Sequence, residues 1–280
     1  ENLTQPLTPA ALGSSDSLQV GDAVVAIGNA LNLGEAPSVT TGIVSALSRS
    51  ITTPNGDVLD NLSHACILDG TFLAAGTPKR APEVRFFNHN SARSLERILT
   101  TRARPNALVL VEGIYSLDGD KGKLREIQEV CARHGAVLVV DDAHGSGTLG
   151  AHGRGVLEDL SLEGQVPVVV STFSKVFGGI GGVILGSTEV VELVQHVARS
   201  FVFSATLPVP IVAAAATVLT MLEENGPALV AELHDNAAYM RRELLARGFD
   251  LGHSDTHIMP VMVRDERKAM LLHHMLYDRG

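Results

Sequence analysis

Two stretches of unbroken apolar residues end abruptly in polar clusters. In VLVVDDAHGSG the run Val137–Val140 gives way to Asp141, Asp142 and His144. In VPVVVSTFSKVFGGIGG the run through Val170 gives way to Ser171, Thr172, Ser174 and Lys175. Apolar runs without polar alternation predict parallel strands covered on both faces. Ligands of open α/β sheets sit outside the carboxyl ends of such strands. An acid, an imidazole and a lysine delivered to one edge therefore mark a candidate site.

The same reading extends along the chain in both directions. Residues 1–58 are β-rich, with strand-like pieces at 22–29 and 39–48 separated by Gly, Asn and Pro turns. From about Asp60 the texture changes: LSHACILDGTFLAAG is apolar around one imidazole, and VRFFNHN is strand-like. Asn90 or Ser91 is placed to cap a helix carrying Leu95, Ile98 and Leu99 on one face. ALVLVEGIYSLDGD (107–120) predicts a buried strand ending in acid and hydroxyl groups. A helix with Leu124, Ile127 and Val130 in register and a strand at 136–141 complete a right-handed parallel unit. Strands at 166–172 and 182–186 continue the sheet, and Ser187 is placed to cap a helix reaching about Arg199. Two helices, 209–224 and 227–247, a strand at 257–263 and a last helix follow. The fold class is α/β, with boundaries at 1–60, 61–225 and 226–280. The last segment reads as the start of a small C-terminal domain without its returning strands.

Composition narrows the function. A formal charge of -9 with no cluster of Lys and Arg excludes nucleic acid as the main partner. Cys66 and Cys131, the two cysteines, have no CxxC spacing, so neither a zinc site nor a disulfide framework is expected, and both read as buried free thiols. No apolar run approaches the ~20 residues that span a bilayer, and ENLTQPLTPAALGSSD lacks the regions of a signal peptide. The expectation is a soluble, cytoplasmic chain.

Two resemblances sharpen this. LGSSDSLQVGDAVVAIGNALNLGEAPSVTTGIVSALSRSI, within residues 10–58, resembles the second barrel of HtrA-type trypsin-like serine proteases. No GxSGG nucleophile loop follows it and no histidine precedes His64, so a protease triad is excluded. Residues 61–280 resemble the α-oxoamine synthases through six motifs in order: LSHACILDG, FNHNSARSLERIL, VEGIYSLDGD, VDDAHGSGTLGAHGRG, TFSKVFGGIGG and FVFSATLP. That resemblance implies a fold type I large domain binding pyridoxal 5'-phosphate, and an acyltransferase that condenses an amino acid with an acyl-CoA and releases carbon dioxide.

It also implies residue roles. Asp141 would hold the protonated pyridine nitrogen that makes the ring an electron sink. Asp141 or Asp142 capping the next loop is the plainer alternative. Lys175 would form the Schiff base from a buried pocket that lowers its pKa, then serve as general base. His144 would hydrogen-bond the cofactor's phenolic oxygen, His64 would stack on its ring, and Thr172 would donate to its phosphate. Ser204 would reach the phosphate of a neighbouring subunit in a homodimer. Ser116 and Glu112 are weaker candidates, since strand-end polar groups often satisfy only backbone. A carboxylate–imidazole metal site is disfavoured by the charge of Lys175. Protease-like sequence stands where the family's phosphate-binding helix lies, and the chain ends before the family's carboxylate-binding arginine. Weak cofactor binding and slow turnover are expected on that ground. A chimera of two fragments without function, or an aminotransferase using the same Asp–Lys pair, are the other readings.

Overall fold

The computed structural model describes residues 23–28, 38–43, 57–75 and 83–279. The chain divides into two compact units, Glu1–Thr52 and Thr53–Gly280. In the first, β1 (Ala23–Gly28) and β2 (Ser38–Ile43) pair antiparallel, Ala23 opposite Ile43 and Gly28 opposite Ser38. The other residues of the protease-like stretch before Asp57 lie outside the described residues.

The second unit is built on a sheet of order β4-β3-β5-β6-β7-β8. Its strands are β3 (Asp57–Asp60), β4 (Val84–Phe87), β5 (Leu108–Glu112), β6 (Val137–Asp141), β7 (Val168–Thr172) and β8 (Gly182–Gly186). All neighbours are parallel except β7 and β8, where the chain turns back on itself through residues 173–181. The strand at 57–60 is inside this sheet, and the two compact units divide between residues 52 and 53.

Helices fill the crossovers. LSHACILDGTFLAAG yields α1 (Ala65–Ala75), between β3 and β4. The Ser91 hydroxyl accepts the Ser94 N–H at 3.2 Å and starts α2 (Ala92–Thr100), removing one orphan donor of the first turn. Between β5 and β6 runs α3 (Leu124–His134), which stops at Gly135 in the left-handed conformation (φ 61°). Leu95 and Leu99 of α2 and Leu124, Ile127 and Val130 of α3 pack on Val109, Val111, Leu138 and Val140 of the sheet. Each such side chain taken fully out of water contributes roughly 2 kcal/mol. The buried alternation in β5 and β6 follows from this one-sided cover.

Downstream, α4 (Val156–Asp159), α5 (Thr188–Val197), α6 (Arg199–Val202), α7 (Val209–Ala246) and α8 (Glu266–Tyr277) follow. Here the structure departs from the periodicity. The two helices expected around Gly226-Pro227 are one 38-residue helix, which runs through the boundary expected at 225/226. Residues 257–263 form no strand, because no described strand offers them a ladder. Their neighbourhood docks through side chains instead: Thr256 Oγ1 donates to Gly119 O at 2.7 Å and Arg241 Nη1 to Ser254 O at 2.7 Å. β8 is largely exposed at the sheet edge. Cys131 is buried, but Cys66 is exposed at the start of α1. No described helix is long and apolar enough to cross a membrane.

Candidate active site

The carboxyl ends of β5, β6 and β7, with the segment after β3, enclose a cavity of about 480 Å³. His64, Cys66, Glu112, Asp141, His144, Thr172, Ser174 and Lys175 all line it. Strand alternation decides which acid enters. Asp141, the last residue of β6, points into the cavity and takes the Ala143 N–H at 3.0 Å on Oδ1. Asp142 points the other way. Its carboxylate accepts the Val156 N–H at 3.2 Å and the Ser146 hydroxyl at 3.3 Å, behind the cavity wall. A Cβ on Gly155 (φ 94°) would collide with that carboxylate, which explains the glycine. Both acids thus bond backbone beyond β6, Asp141 at Ala143 from within the cavity and Asp142 at Val156.

Lys175 stands on the turn between β7 and β8, and that turn is stiff. Phe173 N–H bonds Gly181 O at 2.9 Å, and Gly178 N–H bonds Lys175 O at 3.0 Å. The side chain is exposed at the cavity rim, which corrects the buried pocket expected for it. The Thr172 hydroxyl donates to Gly181 O at 3.1 Å and lies 2.9 Å from Ser174 Oγ, so its proton fastens the turn. His64, on the segment after β3, is exposed, and its Nδ1 lies 2.9 Å from Cys66 Sγ.

Electrostatics separate the groups. Burial pushes the Asp141 carboxyl above the ordinary range, while the Ala143 N–H and the charges of His64 and Lys175 pull it back. Burial, then the charges of Lys175, His257 and His64, bring the His144 imidazole down to about 4, so it is neutral at pH 7. Glu112 is buried, and burial followed by the Asp141 charge pushes it up to about 8. Atoms of His64, Cys66 and Asp141 lie within 4.8 Å of one another, a spacing open to a cation among the described residues. The Lys175 charge felt at Asp141 opposes one. Burial, Asp141 and Glu112 also hold the Cys66 thiol protonated.

Two expected residues stand apart. Ser116 sits in the turn after β5, half-buried and outside the cavity lining, and Ser204 is exposed beyond α6. A buried network that the sequence did not reveal lies beside the cavity. Asp60 at the end of β3 meets His89 Nδ1 at 3.0 Å and the Asn90 N–H at 2.8 Å. His89 Nε2 meets Asp120 at 2.8 Å, and Tyr115 stands edge-on to the His89 ring at 4.3 Å. Burial alone would lower the His89 pKa, but its hydrogen bonds to Asp60 and Asp120 raise it. The available signal was the same one that exposed Asp141: polar residues where apolar strands stop.

This geometry agrees with what the chain is similar to. The profile of the family described as aminotransferase class I and II matches residues 43–280. The 8-amino-7-oxononanoate synthase of Thermoanaerobacter pseudethanolicus is 37% identical over 230 residues, covering 80% of this chain and 56% of that protein. The 4-hydroxy-2,2'-bipyrrole-5-methanol synthase of a Serratia species is 37% identical over 248 residues, covering 87% of this chain and 36% of its own length. A serine palmitoyltransferase variant from S. paucimobilis, solved with a bound PLP–myriocin aldimine, superimposes with a TM-score of 0.72 at 35% identity. That match covers 82% of this chain and 57% of the solved one. The chain therefore spans little more than half the length of the first and third of these relatives and about a third of the second. With a profile running from β2 to the last helix and a sheet shared with that transferase, the chain belongs to the aminotransferase class I and II family.

Proposed function

We propose that this chain carries the pyridoxal-phosphate site of an acyltransferase that joins an amino acid to an acyl thioester with loss of carbon dioxide. One observation carries the reading: Asp141 and Lys175, from separate strand ends, line a single cavity of about 480 Å³ together with His64 and His144. That volume and mixed lining suit a small aromatic cofactor. When bound, pyridoxal phosphate supplies an electron sink for the charge left on the substrate α-carbon.

The protein's own groups do the rest. Asp141 would keep the ring nitrogen protonated, because a buried carboxylate favours a cation against it. His144, neutral at pH 7, would hydrogen-bond the phenolic oxygen without adding charge. His64 would lie against the ring. Lys175 Nζ would hold the aldehyde carbon and, once displaced by the substrate amine, take the proton from the substrate α-carbon. The Thr172 hydroxyl, released from Gly181 O, would donate to the phosphate. Ser204 is assigned to the phosphate of a second subunit in a homodimer, and Ser116 stays a weaker cofactor-binding candidate, standing outside the lining of this cavity. Both substrates come from the relatives' chemistry, since those proteins are named as synthases and as a palmitoyltransferase.

Residues 10–58 are proposed to derive from an HtrA-type protease and to contribute no chemistry; the antiparallel β1–β2 pair supports a β-rich origin. Residues 226–280 are proposed to open a small C-terminal domain. A cytoplasmic location fits thioester substrates.

The test is direct. Borohydride added with pyridoxal phosphate should fix the cofactor onto Lys175, located by peptide mass spectrometry, and K175A should abolish the adduct. Carbon dioxide release that needs both an amino acid and an acyl-CoA supports the acyltransferase. Amino transfer to an oxo acid without that release would replace it with an aminotransferase, a reading the family's description keeps in view.

A further inference from the structure

Glu112 is used by no step above, although it is the most conspicuous acid in the cavity. It ends β5 in register with Asp141 at the end of β6, so both side chains leave the same face of neighbouring parallel strands. Glu112 is 3% exposed, lines the cavity and has an oxygen, Oε1, that meets no hydrogen-bond partner. Ser63 Oγ and Asp120 Oδ1, on the loops that follow β3 and β5, are likewise buried without partners. Buried polar atoms are almost always satisfied, so the unpartnered Glu112 oxygen in the cavity lining points to a partner there.

The groups around Glu112 are mostly acidic. Asp141 faces it from β6 and Asp60 from the end of β3. The Tyr115 hydroxyl lies on the loop after β5, and the Cys66 thiol at the start of α1. His89, after β4, is the imidazole on this side, and it is already bonded to Asp60 and Asp120. His64 contributes its backbone N–H. Lys175 acts on Asp141. Two buried carboxyls in one site ionise one at a time. Asp141, closer in effect to Lys175 and His64 and holding the Ala143 N–H, is the one that ionises first.

We propose that Glu112 is the proton-bearing partner of Asp141, a positioning residue whose O–H is offered to the Asp141 carboxylate across the β5–β6 pair. The inference rests on the pyridoxal-phosphate reading of the cavity. A donated hydrogen bond lowers the basicity of Asp141, so the proton shared with a ring nitrogen stays on the nitrogen. No bond other than a hydrogen bond forms or breaks. Above the pH at which Glu112 ionises, near 8, the donor is lost and a second negative charge takes its place.

The experiment follows the absorbance of bound pyridoxal phosphate and its dissociation constant from pH 6 to 10. Native chain, Glu112→Gln, Glu112→Leu, Asp141→Asn and Lys175→Ala are compared. Native protein should show an absorbance step near pH 8 that Glu112→Gln lacks, while Glu112→Gln keeps the pH 7 affinity within about twofold because its amide still donates. Glu112→Leu should weaken binding about tenfold or more, as for a lost hydrogen bond to a charged group. In the cofactor-free chain the same group should appear as a fall in thermal stability that begins above the ordinary carboxylate range and levels off near pH 8, a fall that Glu112→Gln flattens. Superimposable native and Glu112→Gln titrations overturn the inference, and that comparison stands even if Glu112→Leu fails to fold. If Asp141→Asn and Lys175→Ala bind cofactor like native, the parent reading falls and takes this one with it. If those two lose binding while neither Glu112 variant moves, the inference on Glu112 falls alone.

Discussion

Asp141 and Asp142 are adjacent in the chain, yet one faces a cavity and the other a backbone N–H, and substitution should separate them. Asp142→Ala leaves the Val156 N–H and the Ser146 hydroxyl without their buried acceptor. A loss of about 2–3 kcal/mol in urea denaturation is expected. Asp141→Asn should keep stability within about 1 kcal/mol and lose cofactor affinity instead. The pH dependence has a definite sign. Burial raises the folded pKa of Asp142 to about 7, above its unfolded value, so the unfolded chain releases this proton first. The stability tied to Asp142 is whole below the ordinary carboxylate range and is lost as pH rises through about 7. Asp142→Asn should flatten that fall in a series of denaturation curves. At this scale Asp141, Lys175, His144 and His64 were legible, because each follows an apolar strand directly or by a few residues. The pairing of Glu112 with Asp141 was not. It depends on which strands become neighbours, and one strand's pattern carries no register with another.

Among the elements, the β7–β8 turn does most to place the site. Gly181 sits at φ 93°, and a Cβ there would run into the Leu207 side chain. Gly181→Ala should therefore strain the segment that bonds Phe173 and fastens Thr172, at a cost of about 1–3 kcal/mol. Borohydride labelling of Lys175 should fall about tenfold with it, since a 1 Å displacement of a reacting group can cost more than that. Helix α7 gives the opposite lesson about sequence patterns. Gly226-Pro227 reads as a break, and the helix continues through it. Gly226 packs so closely on the His152 carbonyl that a Cβ would clash with it. Helix propensity favours Gly226→Ala by about 1 kcal/mol. Because of that contact the substitution should be net destabilising in thermal unfolding. Pro227→Ala should stabilise by about 1–3 kcal/mol, since it restores an N–H to the helix ladder. Strands and capped helices were legible by period and cap. This continuity was not, because a tertiary contact overrides propensity.

Over the whole molecule the two halves of the second unit differ in what covers their apolar residues. The sheet and helices α2 and α3 enclose a dense core, whereas α5 and α8 bury no residue fully. Leu193, Val197 and Phe201 stand largely exposed on α5 and α6, with Val197 62% exposed, a short way from Ser204. Exposed apolar side chains on neighbouring elements are where a protein partner is to be sought. Its position beside Ser204 agrees with a second subunit approaching the cofactor site there. Two copies bring together a formal charge of -9 each, so association should work against charge repulsion and strengthen with salt. Light scattering at micromolar concentration should therefore give twice the 29.5 kDa chain mass, rising toward that value as salt is added. Val197→Glu combined with Leu193→Glu should return the monomer mass with a cooperative thermal transition that no longer depends on protein concentration, since neither side chain supports the core. A monomer at every salt concentration would remove Ser204 from the phosphate and leave the site to groups of a single chain.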